Sequence, residues 1–171
     1  NAMKKLDLKA KFNTNKVTDM SKMFNKTGYN LMETLELGNE FDTSNVTNME
    51  YMFGDTGSRA LLNLDLKGKF NTSNVNNMQY MFSGCGQSEM TQLNLGSEFD
   101  TSKITNMKGM FLNAGKKMTF LDLGEKFDTR NVTNMTDMFN STGYTSMVSL
   151  DLGEKFDTSK VTNMSNMFNS T

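Results

Sequence analysis

Apolar residues recur along this chain in fixed columns separated by polar stretches. A Leu-x-Leu pair begins at Leu6, Leu35, Leu64, Leu93, Leu121 and Leu150, in steps of 29, 29, 29, 28 and 29 residues. Each copy then carries Phe, Val or Ile, Met-x-x-Met-Phe, Gly, and Met or Leu. In the second copy these are Leu35, Leu37, Phe41, Val46, Met49, Met52, Phe53, Gly57 and Leu61. A fixed period of this size predicts a stack of repeats, because one unit cannot bury its apolar face alone and does so against its neighbours.

Leu-x-Leu alternates with period two, which predicts a short strand whose middle residue faces solvent. One such strand per coil, ~4.8 Å from the next, makes a parallel sheet. Met-x-x-Met-Phe has the i, i+3, i+4 spacing of a helical face and predicts a helix of one to two turns. Ahead of it stand Asp19, Asn48, Asn77, Asn106, Asn134 and Asn163, all strong N-cap types. Behind it Gly28, Gly57, Gly86, Gly115 and Gly143 suit a left-handed exit. Between strand and helix, the Asp, Thr, Ser and Asn of segments such as Phe41 to Met49 predict a tight corner, with Val and Thr entering a second short strand.

The expected architecture is therefore an α/β repeat solenoid with a short parallel strand and a short helix per 29-residue unit. Residues 1–3 read as an expression-tag scar. Residues 4–171 read as a single solenoid of six repeats starting at 6, 35, 64, 93, 121 and 150, the last truncated, within a longer parent protein. The one-residue deletion falls between Gly115 and Met118, in a connector.

Composition follows from the columns. Every Met except Met3 and every Phe except Phe120 lies in one of them, so an apolar fraction of only 36% is still concentrated on one interior strip. Periodic methionine could carry copper(I), but at core spacing it reads as packing. With 18 basic and 19 acidic residues, the chain has no electrostatic footprint for nucleic acid. It also has no apolar run near the ~20 residues of a membrane span.

Catalysis is not expected. There is no His, which removes the commonest general base, the Ser-His and Cys-His pairs and the usual zinc ligand. No cofactor or metal is expected either. Calcium would need converging oxygens, and no Asp-x-Asp-x-Asp-Gly loop is present. A glycosidase needs only two acids, yet the acids here recur at every coil and supply no unique pair.

Those recurring acids are the leading candidate surface. The outward strand position holds Asp7, Glu36, Asp65, Asn94, Asp122 and Asp151, a carboxylate ladder broken once by Asn94. Like charges at strand spacing repel, and a basic partner would relieve them; the plainer reading is a solvated polar face. A second ladder, Asn13, Asp42, Asn71, Asp100, Asp128 and Asp157, reads as turn-forming. Tyr51 and Tyr80 share one column in adjacent copies and are expected side by side. They would serve either as inter-coil packing or as an aromatic platform for a glycan. Tyr29, Tyr144 and Phe120 are the other aromatics outside the core columns. The lone Cys85, where other copies have Thr27, Thr56, Ala114 and Thr142, reads as a small packing residue.

The recurrent unit Leu-Asp-Leu-Gly, Phe-Asp-Thr-Ser-Asn-Val-Thr-Asn-Met, Met-Phe resembles the repeat of BspA-like bacterial surface proteins, a divergent leucine-rich-repeat family. The resemblance covers Leu6 to Thr171. It implies a right-handed leucine-rich-repeat-like coil in a secreted, cell-surface or wall-attached protein. It further implies non-enzymatic adhesion to host matrix proteins or to other microbial cells. The alternatives are a passive spacer and a carbohydrate-binding repeat domain. A helix-to-turn Cys that recurs in many relatives appears here only as Cys85, so a cysteine-linked variant is not implied.

Overall fold

The structure is a computed structural model that describes residues 2–9, 11–66 and 70–171. Asn1 of the expected scar lies outside these. Six short strands follow in order: β1 (Lys5–Asp7), β2 (Thr34–Glu36), β3 (Asn63–Asp65), β4 (Gln92–Asn94), β5 (Phe120–Asp122) and β6 (Ser149–Asp151). Each holds the first Leu of a repeat at its centre, flanked by outward polar residues or, in β5, by Phe120. They pair in parallel only two by two, β1 with β2, β3 with β4 and β5 with β6, with Leu6 opposite Leu35, Leu64 opposite Leu93 and Leu121 opposite Leu150.

This overturns the expected α/β solenoid. Among the described residues there is no helix, and three small two-stranded sheets replace the continuous sheet that would close the units into a right-handed leucine-rich-repeat-like coil. The reason lies in where the backbone N–H groups go. In the Met-x-x-Met-Phe segment of the first unit, the N–H groups of Met20, Lys22, Phe24 and Lys26 donate to Asn48, Glu50, Met52 and Gly54 of the next unit, at 2.8 to 2.9 Å. The intervening Met23, Asn25 and Thr27 donate three residues back, to Met20, Lys22 and Phe24. A helix would use all of these donors internally, four residues back. Here half are spent between units, leaving a run of overlapping β-turns.

Those turns require left-handed residues. Lys22 and Lys26, with φ of 59° and 57°, occupy the third positions of two turns in the first unit, as type II geometry demands. The equivalent pairs Tyr51 and Asp55, Tyr80 and Gly84, Gly109 and Asn113, Asp137 and Ser141, and Asn166 and Ser170 all have positive φ. The supposed N-cap column does accept N–H bonds from two residues ahead, as Asn106 Oδ1 does from Lys108 at 3.0 Å, but it opens a turn instead of a helix. Its backbone forms isolated parallel bridges, Asp19 to Asn48 to Asn77 and Asn106 to Asn134 to Asn163. No longer second strand is formed among the described residues. The tight corner is present in every unit, as in the bond from the Val46 N–H to the Thr43 carbonyl at 2.9 Å.

The apolar columns meet in one core. In the third unit Leu64, Leu66, Phe70, Val75, Met78, Met81, Phe82 and Met90 are all between 0% and 1% exposed. Phe24, Phe53, Phe82, Phe111, Phe139 and Phe168 stack in a file with ring centroids 5.4 to 5.6 Å apart. A second file, including Phe12, Phe41 and Phe70, runs beside it, with contacts such as Phe53 to Phe70 at 6.1 Å. Each such pair adds roughly 0.5–1.5 kcal/mol beyond the area it buries. The deletion shortens one connector. Met118 bonds three residues back to Gly115, whereas Met32, Leu61, Met90 and Met147 reach four residues back to their glycines.

Buried threonines fasten the corners. The Thr101 hydroxyl donates to the Asp128 carbonyl at 2.9 Å and accepts the Asp128 N–H at 2.7 Å. Thr14, Thr72 and Thr129 do the same with Asp42, Asp100 and Asp157. One hydroxyl thus satisfies both backbone groups of a residue in the next unit. Replacing Thr101 by Val keeps the shape but strands a buried N–H and a buried carbonyl. It should cost about 1–3 kcal/mol in urea unfolding, while Thr101→Ser should retain most of the stability.

Candidate functional site

The outward strand residues line one face of the stack. Asp7, Asn94, Asp122 and Asp151 each accept, through Oδ1, the N–H of the residue two ahead, at 2.8 to 3.0 Å. These bonds fix one side-chain atom of each residue and, in Asn94, Asp122 and Asp151, leave the other without a partner among the described residues. Glu36, one carbon longer, makes no such bond. Asp7 also pairs with Lys9 and, at 3.8 Å, with Lys5. Its hydrogen bonds from Lys9 hold its carboxyl below the ordinary carboxylate range. Glu36, Asp122 and Asp151 have no ion pair among the described residues. Asp65 sits in register with Asn94 across the β3–β4 pair.

The face is not flat: clefts open along it at paired and unpaired steps alike, the one beside the paired β5 and β6 being about 910 Å³. Between β4 and β5 a cleft of about 550 Å³ is lined by Gln92, Asn94, Ser97, Phe120, Asp122 and Lys126, among others. A smaller one, of about 270 Å³, lies between β2 and β3 beside Glu36 and Asp65. Phe120 is 50% exposed there, against fully buried neighbours in the core files. Lys126 is tied to Glu98 at 2.8 Å, a contact that raises the lysine pKa, chiefly through the hydrogen bond.

Tyr51 and Tyr80 are brought together, stacked with centroids 4.7 Å apart and planes 11° from parallel. They stand at left-handed turn positions, φ 52° and 57°, not on a helix. Much of the pair's surface is already in contact. The Lys108 ammonium lies 5.9 Å from the Tyr80 centroid, and a Cβ at Gly109 would come within 2.3 Å of the Tyr80 ring, so that ring fills the space glycine leaves. Burial and the neighbouring Tyr80 hold the Tyr51 phenol above its usual pKa. The pair is therefore a packing element joining adjacent units.

The second Asx ladder is turn chemistry throughout. Asn13, Asp42, Asn71, Asp100, Asp128 and Asp157 each accept the N–H two residues ahead. Asp128, 6% exposed, is also held by the Arg130 guanidinium, with Nη2 to Oδ2 at 2.6 Å. Cys85 is fully buried and burial pushes its thiol up to about 12, as suits a packing residue and not a nucleophile. Among the described residues no three His, Cys, Asp or Glu side chains converge as metal ligands. No helix is long and apolar enough to cross a membrane.

A protein family described as "Mycoplasma protein of unknown function, DUF285" matches residues 1–116 and again 86–171. No curated protein and no solved structure matches the chain.

Arg130 sets an acid-side test. Its hydrogen bond holds the Asp128 carboxyl below the ordinary value of 3.8. The pair's stabilisation is therefore complete above that value and lost as pH falls through the lower folded pKa. Acid unfolding of Asp128→Asn should be less steep below that pH than that of the parent, read by circular dichroism.

Proposed function

Taking as premise that the chain belongs to the DUF285 family, we propose that it is a non-enzymatic binding module whose strand face grips a basic segment of a partner protein. The observation that carries this reading is the row of carboxylates on the strand face, with Glu36, Asp122 and Asp151 lacking ion pairs among the described residues. Like charges on neighbouring strands raise the energy of the free surface, and a Lys- or Arg-bearing segment lowers it. The kinship with BspA-like surface proteins that the repeats suggest extends the reading. On it, the parent protein acts outside the cell, at the surface or wall, as an adhesin for host matrix proteins or for other microbial cells. The two outermost uncompensated acids, Glu36 and Asp151, are the residues on which this grip depends.

The test is binding of the chain to a lysine-rich peptide and to immobilised fibrinogen and fibronectin across a salt series. Saturable binding is expected to weaken as salt screens the contact. The Glu36→Gln/Asp151→Asn double variant should lose about tenfold in affinity, equivalent to ~1.4 kcal/mol. Absence of binding to every probe would overturn the adhesin reading in favour of a passive spacer.

A further inference from the structure

The repeats are so alike that the places where one departs from its siblings are informative, and three departures fall on the same step. The position opening each strand holds Lys5, Thr34, Asn63, Gln92 and Ser149, but Phe120 in the fifth unit. The carboxylate column is neutral only at Asn94, in the fourth. The connector between these two units is the one that is a residue shorter. The strands involved, β4 and β5, do not pair, and the cleft of about 550 Å³ opens between them. Its volume is that of a small-molecule site.

Resting on the reading of the strand face as the ligand-bearing face, we propose that this cleft is a saccharide subsite. It takes a neutral pyranose, stacked on Phe120 and hydrogen-bonded by Gln92, Asn94 and Asp122. The half-exposed Phe120 ring offers an apolar surface on an otherwise polar face, and covering it with the C–H face of a sugar removes both apolar surfaces from water. Around it stand groups suited to hydroxyls, each of which donates one hydrogen bond and accepts up to two. Asn94 Oδ1 is fixed by the Gly96 N–H at 3.0 Å, so its amide nitrogen remains to donate. Asp122 Oδ1 is fixed by the Gly124 N–H at 2.8 Å, so its Oδ2 remains to accept. Gln92 makes no hydrogen bond among the described residues and supplies both functions. Two of the three polar groups are thus oriented before the ligand arrives, which lowers the ordering cost of binding.

With Asp122 and Glu125 both on the cleft wall, the charge balance excludes an anionic ligand and admits a neutral one. Among the described residues the one lysine lining the cleft, Lys126, is held by Glu98, so no uncommitted cation there meets a sulfate, phosphate or uronate. Asn94 removes the central charge from the carboxylate row, so a basic segment is held less well at this step than elsewhere.

The experiment is titration of the purified chain with N-acetylglucosamine, galactose, mannose and their short oligomers, followed by saturation-transfer NMR and calorimetry. Saturable binding to at least one sugar is expected, unchanged up to about 0.5 M salt because no ion pair is involved. Phe120→Ala and Gln92→Ala should each weaken it about tenfold or more. Both sites are solvent-facing, so their thermal unfolding should match the parent's. Tyr51→Ala should leave the affinity alone. Silence across the panel, or affinity that survives both substitutions, overturns the saccharide subsite. Salt independence, and insensitivity to the Glu36→Gln/Asp151→Asn variant, separate this outcome from failure of the acidic grip.

Discussion

The structure depends on how the backbone shares its donors between a unit and its neighbour. In the run from Met20 to Thr27, alternate N–H groups close local turns and the rest reach the next repeat. Neither set alone would hold the segment, since a string of isolated β-turns is not stable in water and the cross-bonds exist only while two units are in register. A repeat of this kind has no independent fold. The same sharing fixes the register to the residue, because a slip by one would aim three of the four cross-bonded N–H groups at the Met49, Tyr51 and Phe53 carbonyls, already engaged in turns. Phenylalanine files and the buried threonines then act on an arrangement whose spacing is already set.

Much of this was legible in the chain and the misreading has a specific cause. The columns Leu, Phe, Val and Met follow from periodicity alone, and the third unit buries all of them. The corner and the glycine exits followed from residues whose conformational preferences are strong. The helix failed because i, i+3, i+4 spacing and an Asx residue ahead of it are shared by a helical face and by a train of turns. What separates the two is a pair of columns four residues apart. Lys22, Tyr51, Tyr80, Gly109, Asp137 and Asn166 form one, and Lys26, Asp55, Gly84, Asn113, Ser141 and Ser170 the other. Gly, Asn and Asp recur in both, the residues that tolerate positive φ. Lys and Tyr masked that signal, because their side chains occupy the same conformation at a strain that the surrounding bonds impose. The threonine column carried no warning at all, since Thr in a turn segment looks the same whether its hydroxyl meets water or the next unit.

The candidate surface was legible in position but not in form. Strand alternation places Asp7, Glu36, Asp65, Asn94, Asp122 and Asp151 on one face, but it says nothing of the clefts that break that face. Clefts open at paired and unpaired steps alike, and nothing in the Leu-x-Leu pattern distinguishes a paired step from an open one. The open step β2–β3 carries the same local sequence logic as its paired neighbours.

Tyr51, Tyr80 and Phe120 show how one repeat lattice gives aromatic rings opposite fates. Two rings in the same column of adjacent units are brought to about the stacking distance of their own accord, so Tyr51 and Tyr80 meet at 4.7 Å and cover one another. Gly109 in the next unit leaves room for the second ring, and the column closes into packing. Phe120 has no aromatic above or below it, because Gln92 and Ser149 occupy its column in the flanking units. On a lattice that pairs like with like, a ring is free to meet a ligand only where it is the exception in its column. The same rule holds for charge: a carboxylate repeated at every unit makes an extended grip, and a single amide among carboxylates makes a place.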